Sequence, residues 1–237
     1  MAKFLEGKLA LVTGGTRGIG RAIAKALASW GASVAICGRE AQAVDRAAKE
    51  LAASGTVAGF AADVADARQV AALFRFIDER LGGLDILINN AGIGIFRPAA
   101  DMSVEEWDRT ISINLNGAFY CSREALQRFR RRGGGFIINI SSLAGKNPFA
   151  GGAAYNASKF GMNGFTEALM LDHRYDKVRV SYIMPGSVAT EFSPSAPTAE
   201  WKIASEDIAE IVLSLLRMPE RTLISRVEVR PSRPPKK

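Results

Sequence analysis

The sequence predicts an α/β protein: a doubly wound, seven-stranded parallel sheet with helices on both faces, built as a single domain over residues 1–230. Three observations carry that prediction. Short apolar runs alternate with helical patterns of ten or more residues along nearly the whole chain. The runs are apolar at successive positions rather than at alternate ones, so both faces of the sheet need cover. The length, 237 residues with 48% apolar and 23% charged, fits one domain of this class and argues against a disordered or fibrous chain.

Each element follows from its own stretch of sequence. Leu9-Ala10-Leu11-Val12 is the first strand, and residues 18–30 carry the first helical pattern. Ser33 to Cys37 is the second strand, with a helix over 40–53, and Val57 to Ala61 the third, with a helix over 66–81. Leu84 to Ile88 is the fourth strand, followed by one long helical pattern over 103–132. Phe136 to Ile140 is the fifth, with a helix over 152–174. Val178 to Ile183 is the sixth, with a helix over 205–217, and Leu223 to Val229 closes as the seventh. Residues 231–237 form a basic, Pro-rich tail expected to be mobile.

Composition narrows the function classes. No apolar run approaches the roughly 20 residues of a membrane helix, and the N-terminus has no apolar core of a secretory signal. A soluble, cytoplasmic protein is expected. Cys37 and Cys121 stand singly in apolar segments and read as buried small hydrophobes. His173 is the one histidine; it suits the end of a helix, and no metal site is expected. The net charge of +7 collects in two places, Arg123 to Arg132 and Arg226 to Lys237. The first closes a helical pattern ahead of Gly133, where cations complement the helix dipole. Neither cluster is interleaved with aromatics, so both read as solvated charge and no nucleic-acid partner is expected.

The first strand runs into Thr13-Gly14-Gly15-Thr16-Arg17-Gly18-Ile19-Gly20 and then a helix. Strand, glycine-rich turn and helix N-terminus together make a site for a pyrophosphate, because glycine lets the backbone approach and the helix start offers free N–H groups. Tyr155 and Lys159, four apart on one predicted helix face, form a second unit. A cation about 4 Å from a phenolate stabilises it by about 4 kcal/mol at an effective dielectric near 20. That would lower the tyrosine pKa by roughly three units, into the range of general acid–base catalysis. Ser141-Ser142 stands at the end of strand five, where such a sheet opens into its ligand crevice. Asn114 is a polar side chain among Ile111, Ile113 and Leu115, which calls for a hydrogen-bonding role.

Taken together, these segments resemble the short-chain dehydrogenase/reductase family over residues 5 to about 230. The glycine turn 14–20, Asp63-Val64, Asn89-Asn90-Ala91-Gly92 and Pro185-Gly186-Ser187-Val188-Ala189-Thr190 match its cofactor segments. Asn114, Ser142, Tyr155 and Lys159 match its catalytic tetrad in order. The resemblance implies a Rossmann fold and hydride transfer between a nicotinamide and a carbonyl or secondary alcohol. It makes Tyr155 the proton donor or acceptor and Ser142 a hydrogen-bond donor to the reacting oxygen. Lys159 would lower the Tyr155 pKa and hold the cofactor ribose, and Asn114 would anchor a water leading to Lys159. The implied cofactor contacts are Gly14, Thr16, Arg17, Gly18, Ile19, Gly20, Gly38, Arg39, Asp63, Val64, Asn90, Ala91, Gly92, Tyr155, Lys159, Pro185, Gly186, Val188 and Thr190.

Finer expectations accompany the resemblance. Gly38 stands where an acid would receive the ribose 2′-hydroxyl of NAD, while Arg17 and Arg39 suit a 2′-phosphate, so NADP(H) is expected over NAD(H). Glu40, the competing acid, reads as the first turn of the next helix. The segment 187–204 is short for a family lid, and the ending lacks the Gly-rich pattern of 3-oxoacyl-[acyl carrier protein] reductases. A reductase of oxoacyl thioesters is therefore the second enzyme reading, with the arginines of 128–132 as a dock for an acidic carrier. A catalytically silent nucleotide sensor is the reading from another class. Phe96, Phe149, Phe192 and Trp201 are candidate substrate walls. The apolar surfaces of 111–129 and 152–172 are too broad for one stripe and point to a homodimer or homotetramer.

Overall fold

The computed structural model describes residues 3–192 and 199–235. Residues 193–198 of the short segment after strand six, and Lys236 and Lys237 of the tail, lie outside the described residues. The strands are β1 (Leu9–Thr13), β2 (Ser33–Gly38), β3 (Val57–Ala61), β4 (Ile86–Asn89), β5 (Gly135–Ile140), β6 (Val178–Pro185) and β7 (Arg226–Val229). They form one sheet in the order β3-β2-β1-β4-β5-β6-β7, and every neighbouring pair is parallel. The helices are α1 (Gly18–Ser29), α2 (Ala41–Leu51), α3 (Ala67–Leu81), α4 (Val104–Ile111), α5 (Gly117–Arg132), α6 (Ala153–His173) and α7 (Ser205–Arg217).

Strand alternation divides the core in two. Ala10 and Val12 of β1, Val34 and Ile36 of β2 and Ile138 of β5 pack under α1, α2 and α7. Leu11, Ala35, Cys37 and Ile137 point the other way, under α3, α5 and α6. Both faces of the central strands are covered, so those strands carry no polar alternation, while the edge strand β7 alternates polar and apolar residues at exposed and half-buried positions. After β3 the chain returns to the other side of β1, so the C-terminal ends of β1 and β4 part. That divergence is the crevice in which doubly wound sheets place their ligands.

The structure corrects the sequence reading in four places. The single helix expected over 103–132 is two helices joined by a π turn at Ser112–Asn116, in which the Gly117 N–H reaches back to Ser112. The wide turn accommodates Asn114, whose side chain is bonded to the backbone of Ile93, and π turns of this kind concentrate at functional sites. The seventh strand begins at Arg226 because its pairing with β6 starts at Tyr182. Glu40 is the residue before α2 rather than in its first turn, and its side chain caps nothing.

The fourth correction concerns the arginines. Arg128 is 6% exposed, held between Asp78 and Glu124 with its guanidinium 5.0 Å from the Phe74 ring centroid. Arg132 pairs with Asp85. Both tie α5 to neighbouring elements, Arg128 from a buried position and Arg132 while still exposed. His173 is the last residue of α6, with Nδ1 2.8 Å from Asp176 Oδ2. Cys37 and Cys121 are fully buried. Among the described residues no helix is long and apolar enough to cross a membrane.

Candidate active site

A cavity of about 1160 Å³ opens along the C-terminal edge of the sheet. It exceeds the ~300–1,000 Å³ of ordinary small-molecule sites and has room for a dinucleotide with a second ligand. Its floor at one end is the glycine turn. Gly14 and Gly18 adopt φ of 64° and 52°, the left-handed region that a side chain disfavours. The N-terminus of α1 has no side-chain cap and no acid in its first turn. Its N–H groups are left to an anion in the cavity, which fits a pyrophosphate. Thr16, Arg17, Gly18 and Ile19 line the cavity here.

The turn is held from β4. The Asn90 amide donates to the carbonyls of Thr13 (2.9 Å) and Gly14 (3.2 Å). Thr13 Oγ1 accepts from the N–H groups of Asn90 and Ala91, both at 3.0 Å. Gly20 does not line the cavity; a Cβ there would lie 2.3 Å from the Gly14 carbonyl oxygen and 2.4 Å from Asn90 Nδ2. Its smallness lets α1 close against the turn. Asn90 therefore acts as a brace through its side chain, and Thr13, which the sequence reading passed over, is the hub of that brace.

At the other end β5 and α6 bring Ser142, Tyr155 and Lys159 to one cavity. Ser142 follows β5 and caps a short 3₁₀ turn, Leu143–Gly145. Its hydroxyl accepts from the Ala144 N–H at 3.1 Å and lies near enough to the Tyr155 phenol to draw its pKa down. Ser141 differs: its hydroxyl donates to Asn163 Oδ1 at 2.6 Å, a scaffold contact. Lys159 is 5% exposed, its Nζ donating to the Ile140 carbonyl at 3.0 Å and lying 5.8 Å from the Tyr155 ring centroid. Burial depresses the Lys159 pKa to about 8. Burial also raises the Tyr155 pKa above its ordinary value, and the neighbouring Ser142 hydroxyl opposes this in part. The expected lowering by Lys159 is thus not realised. Burying a phenolate costs more than a cation at this distance returns, and the ammonium is turned toward the Ile140 carbonyl.

Asn114 stands behind this group rather than in the cavity wall. Its Oδ1 accepts from the Ile93 N–H at 2.8 Å, and its Nδ2 donates to the Ile93 carbonyl (2.9 Å) and to Ser158 Oγ (3.0 Å). Ser158 in turn donates to the Tyr155 carbonyl. Asn114 thereby fixes the loop after β4 against the Tyr155 turn of α6. A second buried network lies below: Asn89 Nδ2 donates to Asn139 Oδ1 (2.8 Å) and Ser122 Oγ (3.1 Å), and Asn139 Nδ2 donates to Thr166 Oγ1 (2.7 Å). It went unread in the sequence, although an asparagine inside Phe136-Ile137-Ile138-Asn139-Ile140 was a signal.

The remaining expected residues share one cavity. Gly38, Arg39, Asp63, Val64, Ala91, Gly92, Pro185, Gly186, Val188 and Thr190 all line the same cavity. So do three groups that were not expected: Arg46 of α2, Arg21, which is paired with Glu50, and Pro231, Pro234 and Pro235 of the tail. The backbone after β6 is closed on itself by pairing of Val188 with Ile203.

Residues 8–201 match the family model described as short chain dehydrogenase. The chain belongs to the short-chain dehydrogenase/reductase family. This family member is 35% identical over 223 residues to a 3α-hydroxysteroid dehydrogenase of Mediterraneibacter gnavus, covering 93% of this chain and 88% of that protein. It is 40% identical over 193 residues to a D-threitol dehydrogenase of Mycolicibacterium smegmatis, covering 81% of this chain and 74% of that one. A glycine betaine reductase of Emericella nidulans is 34% identical across 96% of this chain, which spans only 19% of that longer protein. Among solved structures, a metagenomic short-chain oxidoreductase in complex with NADP superposes with a TM-score of 0.86 at 38% identity, over 97% of this chain and 99% of that one. The seven-stranded parallel sheet is the architecture of this family, and the chain is a short-chain oxidoreductase.

Proposed function

We propose that this protein is an NADP(H)-dependent oxidoreductase that interconverts a carbonyl compound and its secondary alcohol, with Tyr155 as general acid and base. The observation that carries this reading is that Ser142, Tyr155 and a buried Lys159, its Nζ 5.8 Å from the Tyr155 ring centroid, line the cavity that also contains the glycine turn. Bound NADP(H) would supply or accept the hydride. Tyr155 gives a proton to the developing alkoxide in reduction and takes it back in oxidation. Its raised pKa keeps it protonated at neutral pH, the form reduction requires. Ser142 donates to the same oxygen and orients the phenol. Lys159, with a pKa of about 8, is largely cationic at pH 7 and stabilises negative charge that develops on the phenol. Asn114 keeps the Tyr155 turn and the Ile93 loop in register.

The same cavity supports the choice of cofactor. Arg17 and Arg39 are exposed and line it together with Gly38 and Arg46. Guanidinium groups bind a dianionic phosphate through charge-assisted bonds, and several relatives in solved structures carry NADP. A homodimer or homotetramer fits the exposed Phe119, Phe160 and Leu171 on α5 and α6. Burial of Arg128 and pairing of Arg132 weaken the case for a carrier-protein dock at the end of α5.

The test is NADPH consumption with a panel of ketones, aldehydes, sugars and oxoacyl thioesters, followed by Tyr155→Phe on whichever compound is turned over. Loss of the proton donor is expected to lower kcat by about 10²–10⁴ and to leave cofactor affinity within about threefold. A Tyr155→Phe protein with near-normal turnover would refute the mechanism. A protein that binds NADPH and turns over no carbonyl would favour the nucleotide sensor.

A further inference from the structure

We propose that the substrate carries a flat, uncharged aromatic ring next to its carbonyl, and that Phe96, Phe149 and Phe192 select it. This rests on the reductase reading above and names the substrate class of that site. The three rings come from three separate loops, after β4, before α6 and after β6, and converge on one group, the Tyr155 phenol. Ring centroids lie 5.5 Å from Tyr155 for Phe96, 6.4 Å for Phe149 and 5.7 Å for Phe192. Phe96 meets both other phenylalanines edge-on, at 5.6 Å and 6.5 Å, within the range of favourable aromatic pairs.

The cage is anchored at the backbone. Arg97 pairs with Gly152, which sets the Phe96 segment against the Phe149 segment. Asn156 Nδ2 donates to the Phe149 carbonyl at 3.0 Å. Gly94 leaves the space into which two rings fold: a Cβ there would lie 2.6 Å from Phe96 Cζ and 2.9 Å from Phe192 Cζ. Yet the rings stay 48%, 45% and 41% exposed for Phe96, Phe149 and Phe192. A packing cluster would bury them; a fixed, half-exposed aromatic surface at a cavity mouth is what an apolar ligand covers. These rings offer a polyol or an anion no hydrogen-bond partner. Arg17, Arg39 and Arg46 line the stretch of the cavity beside the glycine turn and α2, the cofactor end in the reading above, while Lys202 and Arg230 line it from the segments after β6 and β7.

The test compares kcat/KM with NADPH for an aryl methyl ketone and a straight-chain methyl ketone of equal carbon number. The aryl ketone is expected to lead by about tenfold or more, since each edge-on ring pair is worth a factor of about two to twelve. Phe96→Ala should cut that ratio to about threefold or less, and Phe96→Trp should keep it; Phe149→Ala serves if Phe96→Ala unfolds, as judged by thermal melting. Calorimetry of aryl-ketone binding to the NADP-loaded protein reads the cage apart from chemistry. Equal rates for both ketones, a ratio untouched by these substitutions, or a preference for a polyol in the reverse direction overturns the cage. Binding that depends on Phe96 without turnover of any carbonyl upholds the cage and overturns the reductase reading. Neither binding nor turnover overturns both.

Discussion

Replacing Lys159 with methionine is expected to stabilise the cofactor-free protein while removing its activity. Burial holds the Lys159 pKa at about 8 against an ordinary 10.5. The folded-state pKa is depressed, so the unfolded chain binds more protons through the window from 8 to 10.5, and stability rises with pH across it. Below that window both states are protonated and the penalty is complete, at roughly 3 kcal/mol. Methionine removes the charge at similar length. It also leaves the Ile140 carbonyl without the donor that Nζ now provides at 3.0 Å, at a cost of about 1–1.5 kcal/mol. The net gain at pH 7 is therefore about 2 kcal/mol, shrinking to about zero near pH 9.5 as the wild-type lysine loses its proton. Urea denaturation of both proteins at the two pH values measures the difference, and the pairing cancels every other titrating group. A variant less stable than wild type at pH 7, or a difference that does not change with pH, would refute the reasoning.

Three further outcomes are expected. Gly20→Ala places a methyl against the Gly14 carbonyl and the Asn90 amide, which are themselves bonded at 3.2 Å. Overpacking with loss of that bond should cost about 2–4 kcal/mol by urea denaturation and weaken NADPH binding in a fluorescence titration. The ratio of kcat/KM with NADPH to that with NADH should exceed about tenfold, at about 1.5–3 kcal/mol for each charged hydrogen bond from Arg17 and Arg39. Gly38→Asp with Arg39→Ala should reduce or reverse it, and equal ratios for the unmodified protein would show that the arginines do not serve a phosphate. Phe160→Asp, placing a carboxylate on a face where Phe119 and Phe160 are 47% and 46% exposed, should lower the mass seen by light scattering. A wild-type monomer at micromolar concentration would rule out the assembly.

The sequence by itself determined the layered sheet, because strands apolar at successive positions have nowhere to go but between two helix layers. It also determined which residues could meet at the crevice, because strand ends in a parallel sheet share one edge: Gly14 after β1, Asn90 after β4, Ser142 after β5 and Pro185 at the end of β6. Arg128 shows what it left open. Read along the chain, Arg128 is one of five arginines in α5; in space it is desolvated between Glu124, one turn back on α5, and Asp78, which the packing of α3 on α5 brings near. The π turn at Asn114 belongs to the same class, since it depends on the Ile93 backbone 21 residues away. The acid–base state of Tyr155 and Lys159 was decided by burial, which a spacing of four residues along a helix does not encode. The aromatic cage likewise joins Phe96, Phe149 and Phe192 through loops whose approach only the tertiary structure sets. Periodicity is local and survives in the sequence; desolvation and contact between distant loops are properties of the packed chain.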